Sequence, residues 1–368
     1  MIIYITQRNF PFLSMNPDWF TFLTGRNAHI EQKRVLHFGQ PDVELAQAES
    51  ASVLIDLSHL GLIRFSGEEA QKFLQGQVSC DVHTTDSGKA TYGGYCTPKG
   101  RLLSSFLLWQ DISDYSYLMQ LPAELTEVIA KRLKMFVLRA KVVIQDHTDD
   151  CIRIGVAGKH AHTLLQDTLS ETALSIAPLA VTSIPGGQVI CHSENRFEIL
   201  ISPAHAPALW KQLSSQARCV GAATWDWLEI QEGVPAIFKA TQEQFIPQMI
   251  NLDAIGGVNF KKGCYPGQEI VARTQYLGKV KRRMYRAHLD SDSFLEIAAG
   301  DNLFSADTGG QACGMIVNTA PAPVGGVDVL AVIQVSSVAA NPIHCKTPDG
   351  PQLAIHSLPY SIPDQHTH

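Results

Sequence analysis

At 368 residues the chain is too long for one ordinary hydrophobic core, so two or three domains are expected. Its 45% hydrophobic and 17% charged residues exclude a disordered chain, and no run approaches the roughly 18 apolar residues of a membrane span. A formal charge of −6 argues against a protein that is basic overall.

In chain order, residues 1–49 read as a polar, helical-looking leader. The opening eight residues lack a charged segment followed by a long apolar run, so they do not read as a secretion signal, and Met15 is a second candidate start. Residues 50–147 form a first α+β unit. Within it, residues 53–65 read as one or two strands, and Ser66-Gly67-Glu68-Glu69 reads as a capping box ahead of a helix with Ala70, Phe73, Leu74 and Val78 on one face. Residues 90–97 and 102–110 form a hairpin about Pro98-Lys99-Gly100-Arg101. A strand at 115–121 leads to a helix with Leu125, Val128, Ile129, Leu133 and Phe136 on one face, and a strand at 141–145 closes the unit.

The second unit, 148–285, repeats this order loosely. It has a strand at 151–156, a helix near 160–169, a strand at 197–201 and a helix near 206–213. Helices on one side of antiparallel sheets suggest two ferredoxin-like α+β units. The remainder, 286–368, has little helical period and many turn residues, which predicts a small β-barrel and a loose polar tail.

The chemistry-bearing stretch is Lys261-Lys262-Gly263-Cys264-Tyr265-Pro266-Gly267-Gln268-Glu269, continuing through Arg273. Pro266 fits the first position of a helix, which would put Cys264 just before its positive end with two lysines alongside, a setting that favours a thiolate. The alternative is a Cys that packs as a small buried hydrophobe. The eight cysteines, at 80, 96, 151, 191, 219, 264, 313 and 345, include no Cys-x-x-Cys pair, which fits a reducing compartment. His160 and His162 bring no further ligands, so no metal site is expected. Residues 259–286 carry eight basic side chains (Lys261, Lys262, Arg273, Lys279, Lys281, Arg282, Arg283 and Arg286) against Glu269, a local net of +7 suited to RNA or a folate's glutamate tail, or to a solvated face.

The pattern Lys-Gly-Cys-Tyr-x-Gly-Gln-Glu-x-x-x-Arg over residues 262–273 resembles the YgfZ family, folate-binding relatives of the glycine-cleavage T-protein that assist iron–sulfur proteins. The resemblance extends through Gln244-Phe245-Ile246-Pro247-Gln248, Gly256-Gly257-Val258-Asn259-Phe260 and Tyr276-Leu277-Gly278-Lys279. It also covers, more weakly, residues 73–78 and 92–101. It implies three parts around a central channel that holds tetrahydrofolate. Cys264 is then the working thiol, activated by Lys262, and Trp225 matches a folate-binding tryptophan. Gln248, Asn251, Tyr265, Gly267, Gln268, Glu269 and Arg273 complete the implied site.

Each of these residues also has a plainer structural role. Trp225 suits a core, Gln248 and Asn251 suit turn caps, and Glu269 with Arg273 suits an i,i+4 pair. The resemblance is broken at Leu60, where an aromatic is expected, and at Ser104 and Ser105, where the aminomethyltransferase relatives carry aspartates. Hydroxyls cannot stand in for carboxylates near neutral pH. The expectation is therefore a cytoplasmic tetrahydrofolate-binding protein supporting iron–sulfur proteins and, through them, tRNA thiolation. An aminomethyl or methyl transferase and an RNA-binding accessory factor are the alternatives.

Overall fold

Residues 53–157 and 181–220 build two sheets that lie face to face, and the alternation of side chains along their strands explains why. In the computed structural model, which describes residues 15–85, 88–169, 172–276, 278, 280–290 and 297–363, the first sheet is antiparallel. Its strand order is Thr91–Cys96, Leu102–Gln110, Tyr117–Pro122, Leu60–Ser66 and Val143–Asp146. The second runs Val181–Ile184, Gly187–Ser193, Arg196–Ile201, Ile152–Ala157, Val53–Asp56 and Arg218–Val220. One face of the first sheet, with Phe65, Met119 and Leu121, packs on Leu125, Ile129 and Leu133 of the helix Ala123–Val137. The opposite face sends Leu62, Leu107, Trp109 and Leu118 against Ile190 and Leu200 of the second sheet.

The strand Val53–Asp56 pairs in the second sheet, between Ile152–Ala157 and the parallel strand Arg218–Val220, although it was read in sequence with the first unit. Residues 17–50 are also part of this layer. They form the helix Pro17–Thr24, the hairpin His29–Glu31 and Arg34–His37, and the helix Pro41–Ser50. Trp19 and Leu23 are buried against Leu54, Phe197 and Trp210, and the Trp19 indole donates to Asp56 Oδ1 at 2.7 Å. The first fourteen residues of the leader lie outside the described residues.

Two local expectations are corrected. The helix after Ser66 spans Ala70–Gln75, leaving Val78 beyond it, and no capping box closes its start, because the Glu69 carboxylate accepts from the Lys141 amide at 2.8 Å. On the helix Ala123–Val137, Val128 and Phe136 are exposed rather than aligned with the buried Leu125, Ile129 and Leu133.

The C-terminal sheet is antiparallel, in the order His344–Cys345, Asn302–Phe304, Ala312–Pro321, Val327–Gln334, Arg282–Leu289 and Leu353–His356. Its outermost strands meet again through a bridge from His344 to Gln352 and a bond from Leu353 N–H to the Ile343 carbonyl at 2.8 Å, so the sheet curls back on itself. Asp328 in this sheet accepts from the Trp227 indole at 2.8 Å and from Gln231 at 2.7 Å, which fixes it to the helix Ala223–Gln231.

Candidate functional site

Between the two facing sheets the apolar lining gives way to a buried polar cluster. Arg196 and Glu198 sit two apart on the strand Arg196–Ile201 and so point the same way, inward. Glu198 Oε2 accepts from Gln120 of the first sheet at 3.0 Å and lies 3.0 Å from His192 Nε2. Arg196 is ion-paired to Glu232 and lies 3.8 Å from Glu229, with its guanidinium 4.7 Å from the Trp225 ring. Burial pushes Glu229 up to about 8, against the pull of Arg196. Burial is the largest single influence on Glu232 and raises it, but the Arg196 charge together with hydrogen bonds from Arg196 and Ser193 holds this carboxyl below the usual range. Burial pushes the Tyr92 phenol up.

Trp225 is fully buried, and it fits because Gly155 has no side chain: a Cβ there would lie 2.7 Å from the indole. Several polar atoms of this cluster have no hydrogen-bond partner among the described residues: Glu198 Oε1, Gln120 Oε1, His192 Nδ1, Arg196 Nε and Trp225 Nε1. Buried polar atoms are normally bonded, so this set of open donors and acceptors is a candidate binding point for a polar group. Apart from Trp225, sequence reasoning missed these residues. The signal was present in the Arg196-Phe197-Glu198 alternation, where charges occupy one face of an otherwise apolar strand.

The segment around Cys264 is built differently from the sequence expectation. The helix begins at Gln268 and runs to Tyr276, so Pro266 is not its first residue. Instead Gln268 N–H donates to the Tyr265 carbonyl at 3.1 Å, and Gly267 has φ +83°. Pro then Gly at the centre of a four-residue turn is the type II pattern. Gly267 backs onto the hairpin turn of the first sheet, where a Cβ would meet the Thr97 carbonyl at 2.5 Å and Gly100 N at 2.7 Å.

The Lys262 ammonium is taken up by the carbonyls of Val78 at 2.8 Å and Cys80 at 2.6 Å, and burial lowers its pKa to about 8. It fastens this segment to the first unit. Tyr265 is buried beneath the turn with its hydroxyl unpartnered, and Gln268 donates to the Lys262 carbonyl at 3.2 Å. Cys264 is left on the outside as the one exposed cysteine of the eight. A cleft of about 820 Å³, lined by Lys89, Thr91, Leu179, Phe260, Lys261 and Tyr276, takes in the start and end of this segment but not Cys264 itself.

The other expected residues divide between internal ties and exposed positions. Gln248 donates to the Val271 carbonyl at 2.7 Å, and Asn251 donates to the Met284 carbonyl at 2.9 Å, so both hold the segment to its neighbours. Glu269 and Arg273 are exposed and do not pair with each other. Ser104 and Ser105 are buried. The Ser105 hydroxyl donates to the Pro235 carbonyl at 3.0 Å and accepts from Ile237 N–H at 2.9 Å.

In the basic segment, Arg283 is buried in a two-pronged pair with Asp253 at 2.7 and 3.0 Å, and Arg286 bonds Gln231. Lys261, Arg273 and Lys281 stay exposed, and Lys279 lies outside the described residues. Among the described residues no helix is long and apolar enough to cross a membrane.

Comparison with known proteins places the fold and the family. The GCVT N-terminal domain matches residues 15–262, ending two residues before Cys264. The tRNA-modifying protein YgfZ of Colwellia psychrerythraea is 36% identical over 255 residues, 68% of this chain and 77% of that protein. The YgfZ protein of Pectobacterium carotovorum is 30% identical over 323 residues, 87% of this chain and 95% of its own length. In fold, the chain is similar to the glycine cleavage system aminomethyltransferase T of Bartonella henselae, with a TM-score of 0.74 at 17% identity, covering 94% of this chain and 98% of the other. With the domain match spanning most of the sequence and relatives aligned over most of their length, the chain belongs to the YgfZ family and carries the mixed α+β, several-sheet fold of the T-protein.

Proposed function

We propose that this chain binds a reduced folate such as tetrahydrofolate between its two facing sheets. We propose further that it uses Cys264 to support iron–sulfur proteins, including those that modify tRNA, in the cytoplasm. The observation that carries the reading is the buried Glu198 carboxylate with Oε1 unpartnered among open donors and acceptors. A pterin presents an amino group and a ring N–H side by side, which a carboxylate accepts together, and next to them a carbonyl oxygen, which a guanidinium such as that of Arg196 can meet. His192 and Gln120 hold Glu198 in place, and the Trp225 ring packs edge-on against His192. Lys89 and Lys261 at the cleft supply cations for the folate's glutamate tail.

When bound, a reduced folate supplies a one-carbon carrier. The aspartate that would steer aminomethyl transfer is absent, because Ser104 and Ser105 carry hydroxyls, and that of Ser105 is already spent on residues 235–237. This favours a supporting role over transferase chemistry. The YgfZ relatives are named as tRNA-modifying proteins, which supports the tRNA connection. Seven unpaired cysteines that are wholly or partly buried support a reducing compartment.

The test is a fluorescence titration with tetrahydrofolate. Glu198→Gln should weaken binding about tenfold or more, the magnitude of a hydrogen bond to a charged group. An affinity that does not change in this variant would remove Glu198, and with it this reading of the pocket.

A further inference from the structure

The end of the helix Ala123–Val137 carries apolar side chains where the fold has no use for them. Val128, Met135, Phe136, Leu138 and Val143 are all exposed, Met135 by 62% and Leu138 by 88%. Val128 and Met135 are seven residues apart and share the outward side of the helix with Lys131. Lys131, Lys134 and Arg139 are exposed among them and, among the described residues, make no ion pair. No acidic residue occurs from 128 through 145, in a chain of net charge −6.

Leu138 ends the helix with φ 47° and ψ −103°, a backbone state that disfavours any residue with a side chain, where glycine is the usual choice. The fold thus accepts strain at the point where it holds a large apolar side chain in water. A solvated basic face accounts for the lysines and leaves the five apolar groups unexplained.

From this juxtaposition we infer that the surface formed by residues 128–143 docks a protein partner through a segment whose apolar residues are ringed by aspartate and glutamate. Charge complementarity selects that chemistry. The exposed acids Glu127 and Asp146 border the patch, and the adjoining strand Val143–Asp146 is the outer strand of its sheet. A polypeptide can place its acids against Lys131, Lys134 and Arg139 and keep them away from Glu127 and Asp146, whereas a uniformly anionic bilayer meets the acids and the bases alike. The inference stands independently of the folate pocket.

The experiment places a photo-crosslinking phenylalanine at Met135 of the full chain and captures partners from the lysate of its own host. The captured protein is then purified and titrated. The expected result is a crosslinked peptide rich in Asp and Glu around apolar residues. Binding by the purified partner should be weakened at least tenfold by K134E/R139E and by Leu138→Gly. Leu138→Gly should also melt no lower than the parent chain, because it relieves the backbone strain, which separates lost docking from lost folding. The inference is overturned if the purified partner binds both variants as tightly as the parent or if no partner binds. It is equally overturned if the chain instead pellets with vesicles containing 30% phosphatidylglycerol, crosslinks to a second copy of itself, or shifts RNA through these residues.

Discussion

Cys264 differs from the other seven cysteines in its contact with water. Burial pushes the thiols of Cys80, Cys96 and Cys151 up to about 12, and those of Cys191, Cys219, Cys313 and Cys345 up to about 11. Limited alkylation near neutral pH should therefore label Cys264 first, by peptide mapping. Earlier labelling at Cys80, Cys96 or Cys313 would refute a working thiol. Cys264→Ser should leave melting and folate binding unchanged while removing support of iron–sulfur enzymes.

Glu229 gives a second residue-scale prediction. Its folded pKa of about 8 lies above the ordinary value, so between about pH 4.5 and 8 the native state holds a proton that the unfolded chain has released. Its contribution to stability is complete below that window and is lost as pH rises through 8. Glu229→Gln should flatten this fall in denaturant midpoints, and an equally steep decline in the variant would remove Glu229 as its source. At this scale the motif and its spacing drew attention to Cys264, which the fold leaves exposed, and to Trp225, which it buries. The sequence concealed Glu198, Gln120 and His192, whose meaning depends on two strands facing each other across a gap.

Among the elements, the turn at residues 265–268 shows how one dipeptide supports two readings. Pro266 suits both a first helical position and the second position of a type II turn, and Gly267 at φ +83° decides for the turn. The close approach to residues 97–100 is what demands that geometry, and no local signal in the sequence reports it. Gly267→Ala should destabilise the fold by about 2 kcal/mol or more, since overpacking against backbone typically costs 1–3 kcal/mol before the positive φ is counted. A urea midpoint within error of the parent would mean that this contact relaxes freely. The hairpin at residues 91–110 was legible because turn residues and alternation agree. The capping box at residues 66–69 was not, because Lys141, far along the chain, claims the Glu69 carboxylate.

For the whole molecule, the contacts that unite the layers join residues remote in sequence, which is why composition and periodicity yielded the sheets and helices but not their arrangement. The parallel pairing of Val53–Asp56 with Arg218–Val220 is one such contact. The Arg283–Asp253 pair is another. It fixes the first strand of the C-terminal sheet to the loop that also carries Gln248 and Asn251, and Gln248 in turn holds the Val271 carbonyl in the helix behind Cys264. In sequence Arg283 read as one more member of a basic patch.

Both side chains of the pair are nearly out of water, so removing one partner strands the other charge, a loss of about 3–5 kcal/mol. Asp253→Asn should therefore lower stability by that order, whereas D253N combined with Arg283→Met, which removes both charges, should recover part of it. The same single variant should speed alkylation of the buried Cys80 and Cys96, because the segment that Lys262 pins over them loses its backing. Equilibrium unfolding and thiol mapping on the two variants measure both effects. A single variant within 1 kcal/mol of the parent, with cysteine protection intact, would show that the C-terminal sheet and the Cys264 segment are held together by apolar packing alone.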